Sequence, residues 1–213
     1  MNNHIILRKI DKKDYDDLAG IISATWRYEE FCTAKTAHKM GRLYLASCLC
    51  QQTFHMVAVR ENQVVGIIMG NNNRTSQTPF RNKWFLLKCS VAMMLSSEGR
   101  KVMKMFRGFD SIDQNLLKES KKNFDGTLCF FVVKGSERGT GVGNKLYEAL
   151  MAYFNAEKIK NFYLFTDTTC NFGFYEHQGV KRIGEKTVHF QAYGGKTITL
   201  FLYEKEIEEV SGG

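Results

Sequence analysis

Apolar side chains recur at two spacings along this chain, and the changes between them mark its elements. Residues 5–10 run as a short apolar strand. Over 12–26, Tyr15, Leu18, Ile21 and Ile22 fall three and four residues apart, a spacing that gathers them on one side of a helix. Asp11, just before, carries a carboxylate able to accept a first-turn N–H and is the expected N-cap. Met40, Leu43, Tyr44 and Ser47 predict a second helix over 38–51. The period then shortens to two across 55–60 and 63–70, and the polar pair Glu61-Asn62 between them predicts an antiparallel hairpin.

Residues 71–126 return to helical spacing. Within them, 84–95 are apolar on almost every side apart from Lys88 and Ser90; such a helix is either buried or meets a partner. Gly99 and Gly108 interrupt the stretch, and a polar helix is expected over 111–121. Residues 128–133 form an apolar strand of the kind buried on both faces. A helix over 141–158 should turn Leu146, Leu150, Tyr153 and Phe154 inward, followed by a strand over 161–166. A short helix over 172–177 closes at Gly179, a C′ position that favours glycine. Two strands, 189–192 and 197–204, flank Tyr193-Gly194-Gly195-Lys196 as a Gly-Gly hairpin turn. The order predicts an α/β protein with a mixed sheet whose central strand–helix–strand unit is parallel and right-handed.

Composition narrows the setting. At 213 residues, with 44% hydrophobic and 24% charged residues, the chain suits one globular domain, 1–213, with 71–126 set within it. Asp11, Asp14, Asp16 and Asp17 precede any apolar stretch long enough for a signal h-region, so a cytoplasmic protein is expected. The apolar run 128–133 is far below the roughly 20 residues that span a bilayer, and no membrane partner is expected. Cys32, Cys48, Cys50, Cys89, Cys129 and Cys170 sit inside apolar patterns and are expected as free buried thiols. Cys48 and Cys50 with His55 lack the Cys-x-x-Cys spacing of a metal site, and no metal is expected. A net charge of +8 suits an anionic partner, whether nucleic acid, membrane surface or phosphorylated cofactor, without choosing among them.

The candidate chemistry begins where the strand 128–133 runs into Lys134-Gly135-Ser136-Glu137-Arg138-Gly139-Thr140-Gly141-Val142-Gly143 and a helix opens. Glycines at such a turn let main-chain N–H groups converge on an anion at a helix N-terminus. A tight strand-to-helix turn without any ligand fits the same glycines. The P-loop pattern fails, because Gly143 is followed by Asn144 and Lys145. The dinucleotide fingerprint finds Asn144 where its third glycine belongs, although Asp167 imitates its ribose-binding acid.

Arg138-x-x-Gly141-x-Gly143 resembles the pyrophosphate loop of the GNAT N-acetyltransferase superfamily, Gln/Arg-x-x-Gly-x-Gly/Ala. Some thirty residues on, Phe174-Tyr175-Glu176-His177-Gln178-Gly179-Val180 resembles that superfamily's Phe-Tyr-x-x-x-Gly-Phe, with Val180 for the usual Phe. The resemblance covers most of the chain except 71–126. It implies a mostly antiparallel central sheet flanked by helices, with 71–126 a helical insertion between the third and fourth strands.

The resemblance also implies acetyl-CoA as co-substrate. Main-chain groups of Val132 and Val133 would pair with the pantetheine arm, and the amides of Gly139, Thr140, Gly141, Val142, Gly143 and Asn144, beside Arg138, would hold the pyrophosphate. Tyr175 becomes the expected general acid for the leaving thiolate. The asparagine common seven positions before that tyrosine is Thr168 here, with Asn171 the candidate cofactor contact instead. The usual proline after the cofactor strand gives way to Lys134-Gly135-Ser136. The implied reaction is acetyl transfer by direct attack of a primary amine, carried by a small molecule, peptide or protein. Nucleic acid is not expected, and a homodimer is admitted. Glu29, Glu30, His38 and Asp125 are all conceivable proton acceptors, and none is singled out. Arg74, Arg81, Lys83, Lys88, Arg100, Lys101, Lys104 and Arg107 face one acid, Glu98, so the insertion is expected to be a basic lid favouring an anionic acceptor or the CoA phosphates. A non-catalytic CoA-sensing or nucleic-acid-binding module is the rival reading.

Overall fold

The computed structural model describes residues 4–106, 109–190 and 196–207. The chain begins with β1 (Ile6–Arg8), a 3-10 turn (Lys12–Asp14) and α1 (Tyr15–Thr25). Asp11 caps the turn as expected: its side chain accepts from the Lys13 N–H, while Asp14 reaches back to the Asp11 N–H at 2.7 Å. α2 (Ala34–Cys50) starts four residues earlier than its apolar spacing indicated. β2 (Phe54–Arg60) and β3 (Gln63–Asn72) form the predicted hairpin, with φ of 49° at Glu61 and 61° at Asn62 making the two-residue turn. Three helices follow, α3 (Phe80–Met94), α4 (Ser97–Phe106) and α5 (Phe109–Glu119). The rest is β4 (Gly126–Val133), α6 (Val142–Ala156), β5 (Asn161–Asp167), α7 (Gly173–His177), β6 (Lys181–Phe190) and β7 (Lys196–Glu206). β6 is much longer than the 189–192 strand expected, and the turn at 193–195 lies outside the described residues.

The sheet order is β1-β2-β3-β4-β5-β7-β6. β4 with β5 is the parallel pair, and the other neighbours are antiparallel. This is the mixed, mostly antiparallel sheet flanked by helices that was expected. Two layers cover it. Leu18, Ile22, Leu45 and Leu49 of α1 and α2 pack on Val57, Ile67, Phe130 and Val132. On the opposite face Leu146, Leu150 and Phe154 of α6 are fully buried, each burial contributing about 1.5 to 3 kcal/mol. A Cβ at Gly70 in β3 would overlap the Leu150 side chain, so this glycine sets how closely α6 lies on the sheet. α5 packs Leu116 on Leu200 and Leu202 of β7, beside α2's face.

Two expectations need correction, and a third is narrowed. β4 is not buried on both faces: Leu128, Phe130 and Val132 are buried while Cys129, Phe131 and Val133 are only half-buried, because a cleft opens beside them. Among the cysteines only Cys48 and Cys89 are buried, although all six are free. The apolar helix near 84–95 is not enclosed: its inner face packs on α2, and its outer face stands exposed. Among the described residues no helix is long and apolar enough to cross a membrane, and no cluster of His, Cys, Asp and Glu could hold a metal.

Candidate active site

β4 and β5 pair only at Gly126 with Phe162 and Thr127 with Tyr163, after which their ladder stops. The widening gap belongs to a cleft of about 1120 Å³ lined along β4 from Leu128 to Val133 and along β5 by Phe165, Thr166 and Asp167. On its other edge β4 stays bonded to β3, and the Lys134 N–H donates to the Val65 carbonyl at 2.7 Å. Strand alternation therefore turns the main-chain groups of Val132 toward β3 and those of Phe131 and Val133 toward the gap.

At one end of the cleft lies the glycine loop. Gly139 and Gly141 have φ of 77° and 85°, the left-handed region in which a side chain is strained. Gly141 is the N-cap residue of α6, and no side chain caps this helix, so its first N–H groups have no intrahelical acceptor. The loop is braced from β2: Arg60 Nη1 lies 2.8 Å from the Glu137 carboxylate, each side chain being 15% exposed, and the Thr140 hydroxyl donates to the Glu137 carbonyl at 2.8 Å. Nothing in the sequence marked Arg60, because an arginine ending a strand carries no motif. Gly139, Gly141, Gly143, Asn144 and Arg138 line the cleft. Thr140 and Val142 do not; the first serves the loop's own bonding and the second is buried in the core. The Asn144 side chain accepts from Gln178 at 3.2 Å and so joins the start of α6 to the end of α7.

Tyr175 enters from α7, which is closed by Gly179 at φ 71°. Its ring packs edge-on against Phe174 and Phe131, with centroids 5.8 and 6.4 Å away, and it is 8% exposed at the cleft wall. Burial pushes its phenol well above the usual tyrosine range, with Cys170 and Tyr147 adding to the shift. The hydroxyl therefore stays protonated throughout the neutral range, the state needed to donate a proton or hydrogen bond. Asn171 also lines the cleft, whereas the Thr168 hydroxyl is turned to β7, where it accepts from the Thr199 N–H at 3.2 Å.

The far end of the cleft was not legible beforehand. It is lined around the α1–α2 connection by Thr25, Trp26, Arg27, Tyr28, Glu30 and Phe31, by Met40, Leu43, Tyr44 and Ser47 of α2, and by Met103 and Asp113 of the helices between β3 and β4. Trp26, Tyr44 and Phe130 form one aromatic cluster with centroid separations of 5.2, 5.4 and 5.9 Å. Arg27, at φ 51°, pairs with Glu30 at 3.4 Å. Glu98 of α4 accepts from the Thr33 N–H (2.9 Å), the Thr33 hydroxyl (2.8 Å) and the Thr36 hydroxyl. Thr33 makes no side-chain cap bond of its own, so this acid caps α2 from another element, and the threonine bonds hold its carboxyl below the usual range.

The residues expected to form a basic lid do not line the cleft. Arg74, Arg81, Lys83, Lys88, Arg100, Lys101 and Lys104 all lie off the cleft, and Arg107 is outside the described residues. Arg74, for example, donates to the Glu157 and Lys158 carbonyls at the far end of α6. Of the four conceivable proton acceptors only Glu30 reaches the cleft. His38 lies 3.7 Å from Asp16, and Asp125 accepts from the Lys160 N–H at 3.0 Å.

Comparison with known proteins agrees with this architecture. The model of the Acetyltransferase (GNAT) family matches residues 18–180. No curated protein sequence matches the chain. Among solved structures, a Pyrococcus horikoshii protein is 17% identical with a TM-score of 0.61, covering 96% of this chain and 99% of that one. The ribosomal-protein-S18-alanine N-acetyltransferase of Escherichia coli is 11% identical with a TM-score of 0.54, covering 98% and 97%. Ard1 of Thermoplasma volcanium is 14% identical, also at 0.54, covering 96% and 99%. At such identities the likeness is one of fold. With the family pattern spanning both the glycine loop and the tyrosine helix, the chain belongs to the GNAT acetyltransferase family.

Proposed function

We propose that the protein is an acetyl-CoA-dependent N-acetyltransferase in which Tyr175 is the general acid. The observation that carries this reading is the placement of an uncapped, glycine-built helix start and a buried, protonated phenol along one interrupted strand pair. An acyl-CoA fits these residues. Left-handed Gly139 and Gly141 keep the approach to the α6 N-terminus free of side chains, and the N–H groups there suit a pyrophosphate. Arg138 adds a charge at the same end. The exposed edge of β4 offers main-chain groups of Val133, with Phe131 alongside, to the amides of a pantetheine arm. Acetyl-CoA supplies an activated thioester.

This chain's residues supply positioning and a proton. A main-chain N–H on the free edge of β4 can stabilise the oxyanion formed on amine attack, a contribution on the order of 3 kcal/mol. Tyr175 donates to the departing sulfur, an effect typically worth about 10²- to 10⁴-fold. At the amine end of the cleft Arg27 offsets Glu30, to which it is paired, leaving Asp113 as a further acid in the lining, and Met103 with the aromatic cluster makes the rest apolar. That lining suits a primary amine borne on an apolar or aromatic body better than an anionic acceptor. The dinucleotide reading fails on the sheet, in which β4–β5 is the parallel pair among the described residues.

The test is a thermal-shift comparison of acetyl-CoA with an oligonucleotide, followed by CoA release with a panel of primary amines. Stabilisation by acetyl-CoA and amine-dependent CoA release are expected. Stabilisation by the oligonucleotide alone would overturn the assignment.

A further inference from the structure

α3 turns one face onto α2 and leaves the other uncovered. Asn82, Cys89 and Met93 are buried, the Asn82 amide donates to the Leu49 carbonyl at 2.6 Å, and the Phe85 ring lies 4.9 Å from that of Tyr15. Opposite them Phe80, Trp84, Leu87, Val91 and Met94 recur at steps of four, three, four and three, with Leu95 next to the last. Their exposures run from 46% at Val91 to 81% at Phe80. Of the seven large apolar side chains exposed among the described residues, six lie on this one stripe and only Ile6 lies elsewhere. Singly scattered exposed apolar residues need no explanation, whereas a continuous stripe marks a surface that something covers.

The charges around the stripe say what. At about 100° per residue, Lys83 falls on one flank and Arg81 and Lys88 on the other, all exposed. The Lys88 ammonium stands 5.4 Å from the Trp84 ring centroid, its stem running along the apolar face. α3 contains no acidic residue, and α4 adds exposed Arg100, Lys101 and Lys104. The one acid among them, Glu98, is engaged by Thr33 and Thr36. A second copy packed face to face would set Arg81, Lys83 and Lys88 against their own equivalents with no carboxylate in α3 to answer them. An anionic lipid surface answers both features at once: aromatic and aliphatic side chains enter at the headgroup boundary, and long basic side chains on both flanks reach the phosphates.

We propose that α3 is a peripheral docking helix that seats this protein on anionic lipid bilayers. The helix lies in the plane of the surface, since 15 residues extend only about 22 Å. Its buried face rests on α2, which lines the cleft through Met40, Leu43, Tyr44 and Ser47, so docking would leave the cleft one helix away from the surface.

The full chain is to be sedimented with vesicles of phosphatidylcholine alone and with one-fifth phosphatidylserine. Binding is expected only to the anionic vesicles, weakened by high salt and accompanied by a blue shift of tryptophan emission that Trp84→Phe removes. Two double variants, Trp84→Gln with Leu87→Gln and Lys83→Glu with Lys88→Glu, should each reduce partitioning by about tenfold or more. All their side chains are exposed and off the cleft, so circular dichroism and acetyl transfer in solution should be unchanged. Absence of vesicle binding, or binding that both double variants retain, would overturn the proposal. So would sedimentation equilibrium showing a dimer that Leu87→Glu dissociates, because the stripe would then be covered by a second copy.

Discussion

The two ends of the cleft are built from different parts of the chain's chemistry. The loop end is made of main chain: left-handed Gly139 and Gly141, the unsatisfied N–H groups of α6 and the free edge of β4. The far end is made of side chains drawn from α1, the α1–α2 connection, α2, β4, α4 and α5, positions as far apart as Trp26 and Asp113. Main-chain binding constrains which residues may stand there, because only glycine reaches those angles without strain, and it leaves a compact signature. Side-chain binding constrains only the final arrangement in space, so the residues that perform it carry no common spacing.

That difference can be broken first at Tyr175, which lines the cleft beside Phe131. Tyr175→Phe keeps the ring's contacts with Phe131 and Phe174, so the fold and acetyl-CoA affinity should persist while kcat falls about 10²- to 10⁴-fold, roughly 3 to 5 kcal/mol. Near-normal turnover in steady-state kinetics would make Tyr175 a packing residue. The loss should shrink with an acyl donor whose thiol leaves readily without a proton.

A second cut falls on the main-chain end alone. Gly141→Glu places a carboxylate, in a strained φ of 85°, where the pyrophosphate would sit; the thermal shift given by acetyl-CoA should disappear while circular dichroism shows a folded protein. Retained CoA binding in the folded variant would remove the loop from the site.

The side-chain end is cut more gently by Glu98→Gln. This substitution weakens the cap that α4 places on α2, so the acceptor KM should rise a few-fold with little change in the KM for acetyl-CoA. The carboxyl is held below its ordinary range when folded, so the wild-type cap is present above that range and is lost as the pH falls through the lowered value. The variant should lose this acid-side dependence of the acceptor KM. The smallest effect is expected from Arg100→Glu with Lys101→Glu, both off the cleft: either KM should stay within about twofold of wild type. A selective rise in acceptor KM would instead support the basic-lid expectation.

How far the sequence could be read follows the same division. The hairpin at Glu61-Asn62, the cap at Asp11, the closing glycine at 179 and the glycine loop were legible, because each depends on local backbone angles or short-range bonding. β4 was misjudged as buried on both faces, since apolar side chains lining an open cleft have the same composition as those of a closed core. Most of β6, Lys181 to Val188, went unseen because its charged residues mask alternation; Arg182 lies across the Phe201 ring, 4.1 Å from its centroid. The basic residues of 74–104 suggested a lid only because charge can be counted in a sequence while direction cannot.

The two-residue ladder between β4 and β5 also bears on how the molecule breathes. The strands β1 to β4 share one hydrogen-bonded network and β5, β7 and β6 another, joined edge to edge only at Gly126–Phe162 and Thr127–Tyr163. Helix α6 lies across β2, β3 and β4, so this first network is braced on its back as well as along its edges. Amide hydrogen exchange should then resolve two levels of protection, with the β5–β7–β6 amides opening in events that leave the β2–β3 amides closed, instead of one cooperative value for the whole sheet.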